Sequence, residues 1–212
     1  MFSFFLPPKT EEESIPILNE IIIDKPLTKN LDNGKIKNET IKKKKDKYYY
    51  EYYENGKIKL ERDIKTGFET IYDENGMIIS ECLKKNGYIH GKCYSYNKEG
   101  KLETIEYRLN GQLNGLSTYF YENGTIKREV YYKNNIKQGI EREYNRNGIL
   151  SKEYSYCNGF LDGPFSTYYN NGKKYEEGTY KNGNLDGIFY LYSEYGKVEI
   201  IKEYKNGIHH SF

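Results

Sequence analysis

Glycine recurs in this chain every 24 residues over six successive units, and no other feature restricts the fold so tightly. The first series is Gly67, Gly91, Gly115, Gly139, Gly163 and Gly187, with Ser211 in the next position. Nine residues into each unit stand Gly76, Gly100, Gly124, Gly148, Gly172 and Gly196. Twenty residues in, the third series runs Gly87, Gly111, Asn135, Gly159, Gly183 and Gly207. Asn is the natural replacement at that one position, because it tolerates positive φ better than other side chains do. Three series in phase mean one unit copied along the chain.

Asn precedes most glycines of the second and third series, as in Asn75-Gly76 and Asn86-Gly87. Asn-Gly favours a type I′ turn, which needs positive φ at both central residues and joins two antiparallel strands. Two such turns per unit predict a continuous meander in which each strand pairs with its sequence neighbours. The fold class is therefore all-β, an elongated antiparallel hairpin array with two strands per 24-residue unit. The glycine that opens each unit falls inside a strand, where Gly marks a bulge, a bend or a close backbone approach. Composition agrees: there is no Ala and no Trp, against 25 Tyr and 20 Gly. Ala is the best helix former and Gly among the worst, while Tyr favours half-buried strands.

Alternation predicts which side chains are buried. Five residues after each opening glycine lies an aromatic: Tyr72, Tyr96, Phe120, Tyr144, Tyr168 and Tyr192. One residue after it come Phe68, Leu116, Ile140, Pro164 and Ile188, with Lys92 the exception. Side chains two apart on a strand share a face, so these positions are expected to form the buried stripe. The aromatics are read as structural. Glu81, Glu129, Glu153 and Glu177 recur at matching positions and are read as a solvated face. A single unit buries too little to offset the ordering of its backbone, so stability must come from stacking copies.

The repeat frays upstream. Gly56, in Tyr52-Tyr53-Glu54-Asn55-Gly56-Lys57, precedes Gly76 by 20 residues rather than 24. Residues 31–66 are read as an atypical capping portion, residues 67–212 as the six repeats, and residues 1–30, with Pro7, Pro8, Pro16 and Pro26, as an extended tail. The formal charge of +2, from 33 basic and 31 acidic residues, leaves no basic footprint for nucleic acid. The apolar run at Phe2–Leu6 is too short for a signal peptide, and no later stretch is long enough to span a bilayer. Cys82, Cys93 and Cys157 form no CxxC pair and no repeated staple, which fits a reducing compartment. Cytoplasm is the expected location.

With the motif laid out, the sequence resembles the bacterial MORN-repeat proteins of the MORN-2 variant type. The matching signatures are Tyr180-Lys181-Asn182-Gly183-Asn184-Leu185-Asp186-Gly187 and Tyr168-Tyr169-Asn170-Asn171-Gly172-Lys173. The resemblance implies hairpin sheets that serve as protein-interaction or membrane-association modules. One bacterial subgroup is described as antitoxins of toxin–antitoxin pairs, which implies a cognate toxin as a candidate partner. Asn135 and Ser211 for Gly, and Lys92 and Lys174 in apolar positions, depart from the pattern.

No catalytic, cofactor-binding or metal-binding constellation is expected. The histidines are His90, His209 and His210, with no matching cluster of Cys or carboxylates. No phosphate-binding glycine loop is present. Two surfaces carry the functional expectations. Phe165, Phe189, Leu191 and Ile201 replace polar residues of earlier units, and either form an apolar partner-binding patch or are tucked under the sheet by bending at the glycines. The basic run Lys42, Lys43, Lys44, Lys45 and Lys47 would, with the aromatic surface, bind anionic lipid. The expected function is a non-enzymatic scaffold for protein–protein interaction, with peripheral lipid binding as the alternative.

Overall fold

The computed structural model describes residues 47–210. The tail at 1–30 and the first part of the cap, with Lys42–Lys45, lie outside the described residues.

All regular structure among the described residues is β. The first strands are β1 (Tyr48–Tyr52), β2 (Ile58–Asp63), β3 (Phe68–Tyr72), β4 (Ile78–Lys85), β5 (Tyr88–Tyr96) and β6 (Leu102–Leu109). Next come β7 (Gln112–Leu113), β8 (Gly115–Phe120), β9 (Ile126–Lys133), β10 (Ile136–Tyr144), β11 (Leu150–Cys157) and β12 (Phe160–Tyr168). The array ends with β13 (Lys174–Lys181), β14 (Asn184–Leu185), β15 (Gly187–Tyr192), β16 (Val198–Lys205) and β17 (Ile208–His210). They form one antiparallel sheet of 17 strands. Pairing follows chain order, β7 with β8 and β14 with β15 each serving as two parts of one interrupted strand.

The two glycine series make different turns. At the third series both central residues have positive φ, as at Asn86 (53°) and Gly87 (81°), so these are the expected type I′ turns. Asn134 and Asn135 do the same at 51° and 67°. The second series departs from expectation, because only its glycines have positive φ. There the glycine N–H bonds the carbonyl three residues back, as Gly76 does to Asp73, and Asp73 N–H bonds Met77 O at 2.8 Å. This is a type I turn closed by a glycine bulge. The longer connection has a side chain to anchor it: Asp73 Oδ1 accepts from the N–H groups of Asn75 and Met77.

Of the three readings for a glycine inside a strand, the bulge is the one observed from the second unit on, while Gly67 closes the turn between β2 and β3. Ile136 and Lys137 pair with Lys133 and Tyr132, but the next pair is Glu141 with Val130. The opening strand thus spends four residues where its neighbour spends two. The same slip recurs between Ile89 and Cys93 and between Leu161 and Phe165. At Gly67 a Cβ would lie 2.2 Å from Lys84 O, and φ is +78°, so no other residue fits.

The buried face is the reverse of the expected one. Phe68, Leu116, Ile140 and Ile188, one residue after the glycine, are exposed. The residue two after it is the buried one: Glu69, Cys93, Ser117, Glu141 and Phe165. Leu60, Cys82 and Val130 join them, and the registers Cys82↔Cys93 and Ser117↔Val130 place them on one face. We call this the packed face and its reverse the open face. The physical cause is that among the described residues no second layer covers either side. Burial comes from long side chains on the flanking strands, and those lie over the second residue after the glycine rather than the first.

Candidate functional site

On the packed face, the units differ in what fills the buried position. In the first unit it is Glu69, with 2% of its surface exposed, held by Arg62 at 2.6 Å and Lys84 at 2.9 Å. Burial pushes the Glu69 carboxyl up, but hydrogen bonds and charge from Lys84 and Arg62 outweigh it and hold the group below its ordinary value. Glu141 repeats the arrangement three units on, with Lys137 at 2.7 Å and Arg128 at 3.5 Å. Between them Cys82 and Cys93 face each other across β4 and β5, their Cα atoms 4.3 Å apart, and are joined as a disulfide. A spacing of 11 residues around one I′ turn brings this pair together, which the search for a repeated staple did not reveal. Cys157 is free and exposed. A cavity of about 230 Å³ over the disulfide is lined by Glu69, Cys82, Lys84, Cys93, Glu106 and Arg108.

In the C-terminal units the buried position is aromatic. Phe165 lies against Gly178, where a Cβ would come within 2.9 Å of its ring. Tyr180, Tyr154 and Phe189 surround it, their ring centroids at 4.8, 5.7 and 6.4 Å. Leu191 is half-buried on the same face, but Ile201 is opposite Tyr190 and so projects from the open face. The four residues expected to share a patch do not share one surface. Phe165 is tucked in, Phe189 and Leu191 are half-covered, and Ile201 is exposed on the other side.

On the open face, the recurring glutamates are not simply solvated. Tyr96 OH donates to Glu81 at 2.6 Å, Tyr144 OH to Glu129 at 2.9 Å, and Tyr192 OH to Glu177. In these three units the aromatic five residues after the opening glycine therefore ties its unit to the one before. Phe120 cannot donate, and the residue 15 positions before it, where Tyr96, Tyr144, Tyr168 and Tyr192 have Glu, is Ile105. Burial with the charge of Glu61 pushes the Tyr72 phenol up to about 12, and the bond to Glu177 with burial does the same for Tyr192.

A second feature of the open face was missed by alternation. Beside the I′ turns, Lys85 pairs with Tyr88, Lys133 with Ile136 and Cys157 with Phe160. Neighbouring Lys84 and Lys137 reach carboxylates on the packed face, so these pairs project from the open one. Tyr88, Leu109, Ile136, Phe160 and Ile208 are all exposed, Phe160 by 63%. Adjoining them along the strands are the exposed Phe68, Tyr107, Leu116, Tyr131, Ile140 and Ile188. The result is an apolar strip running across the strands, rimmed by the exposed Lys85, Lys133, Lys181 and Lys205. Of the basic run, Lys47 is described: it is exposed, 3.9 Å from Asp63 and over the Tyr48 ring.

Among the described residues, no three of His, Cys, Asp and Glu stand close enough to hold a metal. Nor is any helix there long and apolar enough to cross a membrane.

A single-sheet hairpin array with two turns per unit defines a class: an open β-repeat protein stabilised by neighbour-to-neighbour stacking. Four segments, residues 45–66, 113–134, 137–158 and 161–182, match the family described as MORN repeat variant. These four segments are MORN repeats of this variant type, a family of repeat scaffolds that is in general non-catalytic. No curated protein matches the chain by sequence. Among solved structures it is similar to the one titled "Crystal Structure of TarM", 15% identical over 55% of this chain and 21% of that one, with a TM-score of 0.32. The chain thus spans about a fifth of that protein, and the likeness carries no argument.

Proposed function

We propose that this protein is a scaffold that binds a partner protein through the apolar strip on its open face. The supporting observation is that Leu116, Ile140 and Ile188 are exposed at one position of the repeat, with Phe160 exposed beside the turn next to them, although the sheet has buried positions available. Exposed contiguous apolar surface on a soluble fold marks an interaction site. The repeat holds Phe68, Leu116, Ile140 and Ile188 at the same position of their units, which suits an elongated partner lying across the strands. A toxin neutralised by this surface is the partner class that the resemblance to the MORN-2 variant type brings forward.

The lysines along the same edge favour a second reading, contact with anionic lipid. Lys85, Lys133, Lys181 and Lys205 rim the apolar strip, and each lysine near an anionic surface contributes about 1 kcal/mol.

A tagged pull-down in moderate salt, with Leu116→Glu and Ile140→Glu as controls, tests the first reading. One stoichiometric protein, lost in both variants while the melting temperature holds, supports it. Recovery of the protein alone, or a partner retained by both variants, overturns it. Sedimentation with phosphatidylserine vesicles that weakens as salt rises supports the lipid reading instead.

A further inference from the structure

The two ends of the described sheet are unequal halves of the repeat's own interface. Throughout the array, a returning strand is followed by an opening strand, as when Glu176 and Glu177 of β13 pair with Leu191 and Tyr190 of β15. At one end, β16 is a returning strand, but β17 covers only part of it: Glu203, Tyr204 and Lys205 pair with His210, His209 and Ile208. From Val198 to Lys202 its outer edge has no partner strand among the described residues, and Val198, Ile200 and Ile201 are exposed there. At the other end, β1 has the pattern of an opening strand, and among the described residues it pairs only with β2.

The two edges agree in phase. Counting back nine residues from Gly56 puts Lys47 in the opening position, so Tyr50 and Glu51 correspond to Tyr190 and Leu191. Counting on 24 residues from Glu176 and Glu177 gives Ile200 and Ile201. Hydrogen bonds from Ile64 N–H to Lys47 O and from Tyr53 N–H to Lys57 O turn the odd-numbered residues of β1 toward β2. Tyr50 therefore presents its backbone N–H and C=O to the edge that no other described strand pairs with. In the array β17 fills the three positions before the opening residue, and β1 the five after it. The charges also agree: Lys202 would come beside Tyr49 and Glu51, as Arg62 already lies over the Tyr49 ring at 5.4 Å.

We propose that β16 of one copy pairs with β1 of a second copy, head to tail, with Ile201 opposite Tyr50 and Ile200 opposite Glu51. The junction continues the sheet in its own register. It is a heterologous contact, so it adds copies one after another instead of stopping at a pair. It uses the strand edges and is independent of the strip on the open face.

Sedimentation of the full chain across a range of concentrations is the test, with one variant blocked at each edge. Ile201→Pro removes the outward N–H of β16, and Tyr50→Pro that of β1, changes an edge strand tolerates. The unaltered protein is expected to gain mass with concentration, and each variant alone to remain monomeric. An equimolar mixture of the two should give a one-to-one dimer that grows no further, since each supplies the edge the other lacks. A chain that stays monomeric at every concentration overturns the proposal. So does a Tyr50→Pro variant that dimerises alone, which would mean two β16 edges pair with each other. Thermal melts verify that both variants keep the sheet, and Ile201→Lys with Tyr50→Lys repeats the experiment if either unfolds.

Discussion

At the scale of the residue, what a position demands is set by its flanking strands. Phe165 and Gly178 are complementary, since any side chain at 178 would occupy the space of the ring. Phe165→Ala is expected to cost about 3 kcal/mol, near the lower end for buried aromatics because solvent reaches this thin sheet easily. A denaturant midpoint unchanged by that substitution would contradict the packing described. Glu69 makes a pH prediction. Its carboxyl is held below the ordinary value in the folded chain, so its contribution is present above about pH 4.3 and is lost as pH falls through the folded value. The drop in melting temperature between pH 7 and pH 3 should be smaller in Glu69→Gln than in the unaltered protein. Asn135 also has a local explanation: its side-chain Oδ1 accepts from Leu113 N–H at 2.7 Å, a bond that glycine could not supply.

At the scale of the element, hairpins are locked to the hairpins of the next unit at both ends. Beside the I′ turns, the N–H groups of Gly111, Asn135, Gly159, Gly183 and Gly207 donate to Ile89, Leu113, Lys137, Leu161 and Leu185 O. At the other end the turns come in two kinds. Those led by Tyr53, Tyr121 and Tyr169 send the phenol OH to Tyr72, Tyr144 and Tyr192 O of the unit that follows. Their Asn reaches across as well, Asn123 Nδ2 donating to Arg146 O at 2.9 Å. The turns led by Asp73, Asn97 and Asn145 are closed by their own side chains. Two Asn residues in identical Asn-Gly dipeptides should therefore behave differently. Asn123→Ala removes bonds to its own turn and to the next one and is expected to cost about 1 kcal/mol. Asn147→Ala removes no side-chain bond seen in the structure, and its melting temperature should stay close to that of the unaltered protein.

At the scale of the whole molecule, stability is a sum over neighbouring units rather than the property of one core. Excising residues 139–162 removes one 24-residue period and leaves every remaining strand in phase. That variant is expected to keep its β circular dichroism spectrum and melt at a lower temperature. Excising one residue fewer shifts the register by one, exchanges the faces of the following strands and should abolish cooperative melting. Equal behaviour of the two deletions would show that phase is not what joins the units.

Much of this was legible before any coordinates. The 24-residue period, the two turns per unit, the chain-order pairing and the irregularity at the opening glycines follow from residues close together in the chain. Glycine and Asn act through their own φ, and alternation acts through the next two residues. The choice between the faces did not follow. Residues one and two after the glycine are both compatible with a strand, and only the reach of Arg62, Lys84, Arg128 and Lys137 from adjoining strands decides that the second is covered. The pairing of Cys82 with Cys93, the Tyr–Glu bonds between units and the two kinds of turn have the same origin. Their partners lie 11 to 23 residues away and meet through the exact register of neighbouring strands. Local chemistry determined the repeat, and lateral contact between its copies decided which surface is packed and which is open to a partner.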